Sequence, residues 1–256
     1  MSFKHIINVC SSTIVSSLYN WRGTVGSRKV KLPEEGLILF DRESCPECRL
    51  VRQALTELNL DVLIYPCPEE GDRHLRSLQE VSGAKQIPFL FDQNTAEKLT
   101  GSEAILAYLY NVYAKKAVPE KFQLGRFDHI KDSLSDFLRA GAGKTASSSK
   151  QAEQSLILYS FESSPFSRPV REKLCELQLP YQLINLGKQQ KADMGPAVFR
   201  FHTGPYVPVY GSKREDFLKR HDQVMVPYLF DPNTGQGLFQ SEQILEYLTE
   251  TYQLTH

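Results

Sequence analysis

The sequence predicts an α/β protein built as two tandem βαβ–ββα modules. Three observations carry that prediction. Two blocks recur in the same order, each copy places an apolar run before a helical repeat, and the 256 residues suffice for two cores.

The first block is LILFDRESCPECRLVRQALTELNL at 37–60, repeated without a gap as LILYSFESSPFSRPVREKLCELQL at 156–179. Glu43/Glu162, Ser44/Ser163, Pro46/Pro165, Arg49/Arg168, Arg52/Arg171 and Leu55/Leu174 are among the shared positions. The second block, IPFLFDQNTAEKLTGSEAILAYLYNVY at 87–113, returns as VPYLFDPNTGQGLFQSEQILEYLTETY at 226–252. The spacer between blocks is longer in the second copy.

In the first copy, the apolar run Leu37–Phe40 predicts a buried strand. Val51, Leu55 and Leu58 then recur at helical spacing, and Asp61–Tyr65 is a second strand. The charged stretch Asp72–Val81 suits a surface helix. Residues 88–91 read as a third strand ended by the turn cluster at Asp92–Thr95, with a short fourth strand near Lys98. Ile105, Leu106 and Leu109 mark a closing helix, with Ser102 as its expected cap. The expected division is 1–34 an N-terminal amphipathic helix or extension, 35–114 module one, 115–154 a bridging helix and linker, and 155–256 module two. In the linker, Ile130, Leu134, Phe137 and Leu138 predict a helix, and Lys144–Gln154 reads as a flexible Ser-rich tether.

Phe3, Ile6, Ile7, Cys10, Ile14 and Leu18 recur near helical spacing, which predicts an N-terminal helix packing these residues on the fold. The first 33 residues contain no Asp or Glu and carry Lys4, Arg22, Arg28, Lys29 and Lys31. A membrane-surface helix and an organellar transit peptide are therefore the alternatives. A cytoplasmic location is expected, with an organellar one as the alternative. Thirty basic and thirty acidic residues balance, which argues against a nucleic-acid partner. No stretch approaches the length of a membrane-spanning helix. Oligomeric state is not legible.

Five cysteines, an odd number, speak against a secreted disulfide framework. Cys45-Pro46-Glu47-Cys48 lies between a predicted strand and helix, where unpaired N–H groups and the helix dipole favour a thiolate. Cys45 is the candidate nucleophile and Cys48, one turn on, the resolving thiol. Arg49 and Arg52 are candidates for lowering the Cys45 pKa. Two unreactive buried cysteines are the alternative. A structural zinc site needs further ligands that the sequence does not pair with this motif, so no metal is expected. Cys67 reads as structural, with a third redox thiol as the alternative.

At these residues the chain resembles the thioredoxin superfamily, in its glutaredoxin and glutathione-transferase N-terminal branch. The resemblance covers most of 37–113 and 156–252. It implies two tandem thioredoxin-like domains without an all-helical transferase C-terminal domain. It implies a glutaredoxin-like thiol–disulfide oxidoreductase with glutathione as co-substrate, acting on glutathione or a protein disulfide. Ile87-Pro88 and Val226-Pro227 match the family's cis-proline, and Gln240-Ser241 matches the pair that holds the γ-glutamyl end of glutathione. Ser102 matches the serine of that pair, with Gly101 in place of the acid or amide. Pro46, Ile87, Pro88, Ser102, Ser164, Val226, Pro227, Gln240 and Ser241 are thus the implied glutathione contacts. The second copy reads Ser164-Pro165-Phe166-Ser167 and has no thiol pair. This leaves two alternatives, a non-catalytic glutathione-binding adaptor or a transferase using Ser164. The stretch 187–223 adds Phe199, Phe201, His202, Tyr206, Tyr210 and a basic cluster, read as interface packing with a helix near Arg214–His221.

Overall fold

A computed structural model describes residues 2–28, 30–122, 128–197, 199–200 and 204–254, with only the backbone of 128–130. Lys29, Phe201 and His202, and the side chain of Ile130, therefore lie outside the described residues. The chain begins with α1 (Phe3–Leu18). Module one follows as β1 (Leu37–Asp41), α2 (Pro46–Glu57), β2 (Val62–Pro66), α3 (Leu75–Ser82), β3 (Phe89–Asp92), β4 (Glu97–Thr100) and α4 (Ser102–Leu109). After α5 (Asp128–Arg139), module two repeats the order as β5 (Leu156–Ser160), α6 (Arg168–Glu176), β6 (Tyr181–Asn185), α7 (Lys213–His221), β7 (Tyr228–Asp231), β8 (Gln236–Phe239) and α8 (Ser241–Tyr252).

The two modules are not separate beads. They share one eight-stranded sheet, ordered β4-β3-β1-β2-β6-β5-β7-β8. Within each module the first two strands are parallel and the next two antiparallel. The seam is β2 against β6, antiparallel, with Leu63 opposite Gln182. Edge pairing satisfies backbone groups that two isolated sheets would leave open. Alternation along the strands separates two faces. Leu37, Leu39, Val62, Ile64, Leu156, Leu158 and Leu183 join residues of α2, α4, α6 and α8 in one continuous core. On the opposite face, Phe40 and Phe89 pack under α3, and Tyr228 packs with Phe217 of α7. The helix expected near Arg214–His221 is thus the counterpart of α3, with Asp222 and Gly83 as equivalent left-handed ends.

The repeat also extends beyond the blocks that sequence reveals. α1 and α5 stand at equivalent distances before their modules, and each reaches across to the other one. The loop after α1 pairs with module two, where Gly26 N–H donates to Lys188 O and Lys188 N–H to Thr24 O. The loop after α5 pairs with module one, where Ala146 N–H donates to Glu69 O and Glu69 N–H to Lys144 O. The tether expected to be flexible is therefore pinned. Ser147 N–H bonds Glu176 O, Lys150 N–H bonds Tyr252 O, and Arg73 donates to Ser149 O at 2.8 Å. Serine-rich composition suggested flexibility, but the partners of Lys144 O, Ala146 N–H, Ser147 N–H, Ser149 O and Lys150 N–H come together only in the assembled fold.

One close approach fixes the other strap, the loop after α1 that lies along module two. A Cβ on Gly187 would lie 2.7 Å from the Gly26 Cα and 3.1 Å from the Thr56 carbonyl oxygen. Both neighbours are backbone and cannot rotate away. Gly187→Ala is expected to destabilise the protein by about 1–3 kcal/mol, read as a lower denaturation midpoint. An unchanged midpoint would show that the strap can lift.

The largest correction concerns α1. Its buried residues are His5, Ser12, Val15 and Ser16, whereas Phe3, Ile6, Ile7, Cys10 and Ile14 face solvent. α5 behaves alike, with Ser135 and Arg139 buried and Leu134 and Phe137 exposed. The apolar stripes expected to pack inward point outward. The physical reason is that the surface beneath these helices is polar. Arg168 of α6 donates to the Ser12 and Ser16 hydroxyls, at 3.2 Å each. Arg49 of α2 donates to Ser135 at 3.3 Å and faces Asp132 at 3.6 Å. Among the described residues, no helix is long and apolar enough to cross a membrane.

Candidate active site and its counterpart

β1 delivers the chain to Cys45, which is the N-cap of α2 in extended conformation (φ −74°, ψ 124°). Pro46 at the first helical position suits the fixed φ and the missing N–H. The Cys48 N–H donates to the Cys45 sulfur at 3.3 Å, so a sulfur performs the capping that a Ser or Asp oxygen usually provides. Cys45 keeps 9% of its surface and Cys48 none. Both thiols are free.

These positions separate the two thiols chemically. The Cys45 pKa is lowered to about 7, first by a hydrogen bond from the Cys48 thiol, with burial opposing and the Cys48 backbone N–H assisting. Burial pushes the Cys48 thiol well above its ordinary range, and its bond to Cys45 pushes it further. Arg52 also favours the Cys45 thiolate, but Asp41 opposes it. Arg49 is turned elsewhere, with its guanidinium 4.5 Å from the Tyr19 ring centroid and facing Asp132. The hydrogen bonds to sulfur, not the arginines, do most of the tuning. Cys67 is buried and its thiol is pushed up to about 12 by burial, which fits a structural role.

Ile87-Pro88 and Val226-Pro227 are both cis. Ser102 and Ser241 are the first residues of α4 and α8 rather than their caps. Gly101 and Gln240 hold the cap positions, at φ 85° and 66°. Glycine takes that left-handed conformation without penalty, and Gln240 takes it at some strain. The serine hydroxyls consequently point to other partners. Ser102 donates its N–H and hydroxyl to the Glu47 carboxylate at 3.4 and 3.3 Å. Ser241 shares a 2.9 Å hydrogen bond with His5 of α1. Glu47, Gly101, Ser102, Glu103 and Ala107 line a groove beside α4.

Module two reproduces the turn in hydroxyl form. The Ser167 N–H and hydroxyl donate to the Ser164 oxygen at 3.3 and 2.8 Å, the first matching the Cys48–Cys45 contact. Ser164 keeps only 2% of its surface. α1 lies against this turn, where Ser16 donates to the Ser163 carbonyl at 2.8 Å. The second copy therefore offers a thiol-free turn in which Ser164 is nearly covered.

Sequence reasoning missed what lies between the two turns. Arg52 binds Asp41 at 2.5 Å, Glu43 at 3.3 Å and Glu162 of module two at 3.0 Å. Arg171 answers with Glu43 of module one at 3.0 Å and Glu162 at 3.1 Å. Each arginine also donates to the backbone carbonyl of its own module's glutamate, at 3.0 Å. All five side chains are buried. Burial works against the Glu162 carboxylate, but Arg171 and Arg52 hold it well below its usual range. Three carboxylates share two guanidiniums, and burial pushes Asp41 up to about 6 despite its contact with Arg52. Both Glu–Arg pairs were visible as repeated positions. Nothing in one dimension showed that each pairs across the seam. In the insertion, Tyr206 donates to Asp193 at 2.7 Å and stacks with Arg200, whereas Phe199 and Tyr210 are exposed. Only part of that segment packs as expected.

A thiol pair at a strand-to-helix turn, its hydroxyl counterpart and two cis-prolines on one sheet define a tandem thioredoxin-superfamily protein. The profile of the glutathione S-transferase N-terminal domain matches twice, over residues 39–117 and 158–256. The chain belongs to that family. No curated protein matches the chain. Among solved structures, the chain is similar to Leishmania TDR1, a trimeric glutathione transferase, at 14% identity and a TM-score of 0.27. That similarity covers 83% of this chain and 68% of the other. Among the described residues, no group of three or more His, Cys, Asp or Glu side chains is arranged to hold a metal ion.

Proposed function

We propose that module one is a glutathione-linked thiol–disulfide oxidoreductase, with Cys45 as nucleophile and Cys48 as resolving thiol. The observation that carries this reading is the asymmetry of the pair. Cys45, which keeps a small exposed edge, has a thiolate favoured near neutral pH, and the fully buried Cys48 stays protonated. In the reaction, the Cys45 thiolate attacks the glutathionyl sulfur of a mixed disulfide. A Cys45–glutathione disulfide forms and the substrate thiolate leaves, taking up a proton. A second glutathione thiolate then attacks the glutathionyl sulfur and expels the Cys45 thiolate, or Cys48, after losing its proton, attacks the Cys45 sulfur and expels the glutathione thiolate. The products are oxidised glutathione with free Cys45, or free glutathione with a Cys45–Cys48 disulfide.

Membership of a glutathione S-transferase N-terminal family supports glutathione as the co-substrate. The cis-prolines and the groove beside Ser102 are the sites at which its backbone and γ-glutamyl end would be held. Module two, nearly covered at Ser164, serves as the structural partner that completes the sheet and the buried charge cluster.

The test is the pH dependence of Cys45 alkylation, followed by peptide mapping so that exposed Cys10 is counted separately. A midpoint near 7 is expected. A midpoint at or above about 8.5, that of an ordinary free thiol, would overturn the proposal.

A further inference from the structure

We propose that the outer face of the α1–α5 pair is a platform that seats this protein on an anionic lipid bilayer surface. The two helices are inside out relative to a water-soluble surface helix. Their polar residues, Ser12, Ser16, Ser135 and Arg139, are buried against the modules. Their apolar residues face outward, with Phe3 78%, Ile7 53%, Ile14 49% and Phe137 81% exposed. In a helix the positions 3, 7, 10 and 14 form one stripe, on the side opposite 5, 12 and 16. Ile14 and Leu134 occupy equivalent places in the duplication. α1 buries its other side on α6 and α5 on α2, and both of those helices cover the same face of the sheet, so the two stripes turn outward on that side. Trp21, 42% exposed just past the end of α1, adds an aromatic ring of the kind enriched at membrane interfaces. A contiguous exposed apolar face on a folded protein marks an interaction surface.

Charge identifies the occupant. The first 33 residues hold Lys4, Arg22, Arg28, Lys29 and Lys31 and no carboxylate, in a chain that is neutral overall. Of the α5 carboxylates with described side chains, Asp132 is engaged within the fold and Asp136 is exposed among basic neighbours. Asp132 pairs with Arg49 and accepts from Tyr19, and Asp136 lies in the field of Arg49, Lys144 and Arg42. Glu242, beside the start of α1, accepts from the Ser2 N–H at 2.6 Å. An apolar stripe on a helix that carries Lys4 and is followed by Arg22, in a segment without carboxylates, matches an interface of acyl chains and anionic headgroups. A second copy of the chain would instead bring the same basic flank against itself in a two-fold contact.

The experiment is co-sedimentation of the full chain with vesicles of phosphatidylcholine, with and without phosphatidylserine. The expected result is binding that strengthens several-fold with phosphatidylserine and weakens with salt. Ile7→Glu and Phe137→Glu lie on exposed positions, so their thermal unfolding should match the parent. Each is expected to weaken vesicle binding by about tenfold or more. Three results would overturn the proposal. These are no binding to either vesicle, binding indifferent to both substitutions, or a self-association in lipid-free solution that the substitutions abolish.

Discussion

Cys45→Ser is expected to bring reduction of a glutathionylated peptide down to the uncatalysed background, whereas Cys48→Ser should retain a substantial part of it. The two sulfurs differ in what they can do at neutral pH. Cys45 sits at the helix cap with two donors aimed at it, which places its pKa at about 7. Cys48 is fully buried and remains a protonated donor. Glutathione itself can complete the cycle without Cys48, because a second glutathione can attack the Cys45 mixed disulfide. Removing Cys48 also removes the leading hydrogen bond to the Cys45 sulfur. The retained activity of Cys48→Ser should therefore show an alkaline-shifted pH profile, unless the new hydroxyl replaces the lost donor. Coupled turnover of the three proteins at several pH values distinguishes these outcomes. Equal loss in both variants would mean that the dithiol works only as a unit, and activity in Cys45→Ser would remove the assigned nucleophile.

Arg52→Leu carries the largest expected cost in stability. Arg52 is fully buried and meets Asp41, Glu43 and Glu162. Deleting one partner of a buried ionic group leaves uncompensated charge in a poor solvent, at a cost of about 3–5 kcal/mol. For a chain of this size that lowers the Tm by about 10 °C. Arg171→Leu should cost a comparable amount, because Arg171 meets Glu43 and Glu162 from the other side of the seam. Since the cluster draws on both modules, both variants should still unfold in a single transition. A separate early transition of one module would show that the modules are held by the strand seam alone. The loss should shrink at low pH, where the stranded carboxylates can be protonated.

Much of the architecture was legible because it is local. Short apolar runs mark the strands, helical spacing marks α2 and α4, and the turn cluster after β3 begins at Asp92, which accepts from the Asn94 N–H at 2.8 Å. The repeated tyrosines Tyr108 and Tyr247 of the second block are explained by this aspartate and its counterpart. Tyr108 donates to Asp92 at 2.8 Å, and Tyr247 to Asp231 at 2.7 Å. The Cys45–Cys48 turn was legible for the same reason, since a cap and a first helical turn involve only residues close in sequence.

The faces of α1 and α5 were not legible. Periodicity reveals that a helix has an apolar side, and it assumes that this side meets the core. Here the surfaces awaiting them carry Arg168 and Arg49, which need acceptors, so serines and an aspartate turn inward. The serine spacing of α1 held the relevant signal, but its meaning depends on an arginine far away in the chain.

By itself the sequence determined a duplicated βαβ–ββα unit and one thiol pair at a strand-to-helix turn, because short-range periodicity and capping chemistry specify both. Tertiary structure alone decided that β2 joins β6 in one sheet, that Glu43 and Glu162 exchange arginines across it, and that the leading helix of each repeat crosses to the other module. Those contacts join residues more than seventy positions apart. Their free energy comes from burial and pairing that exist only once both copies have folded together.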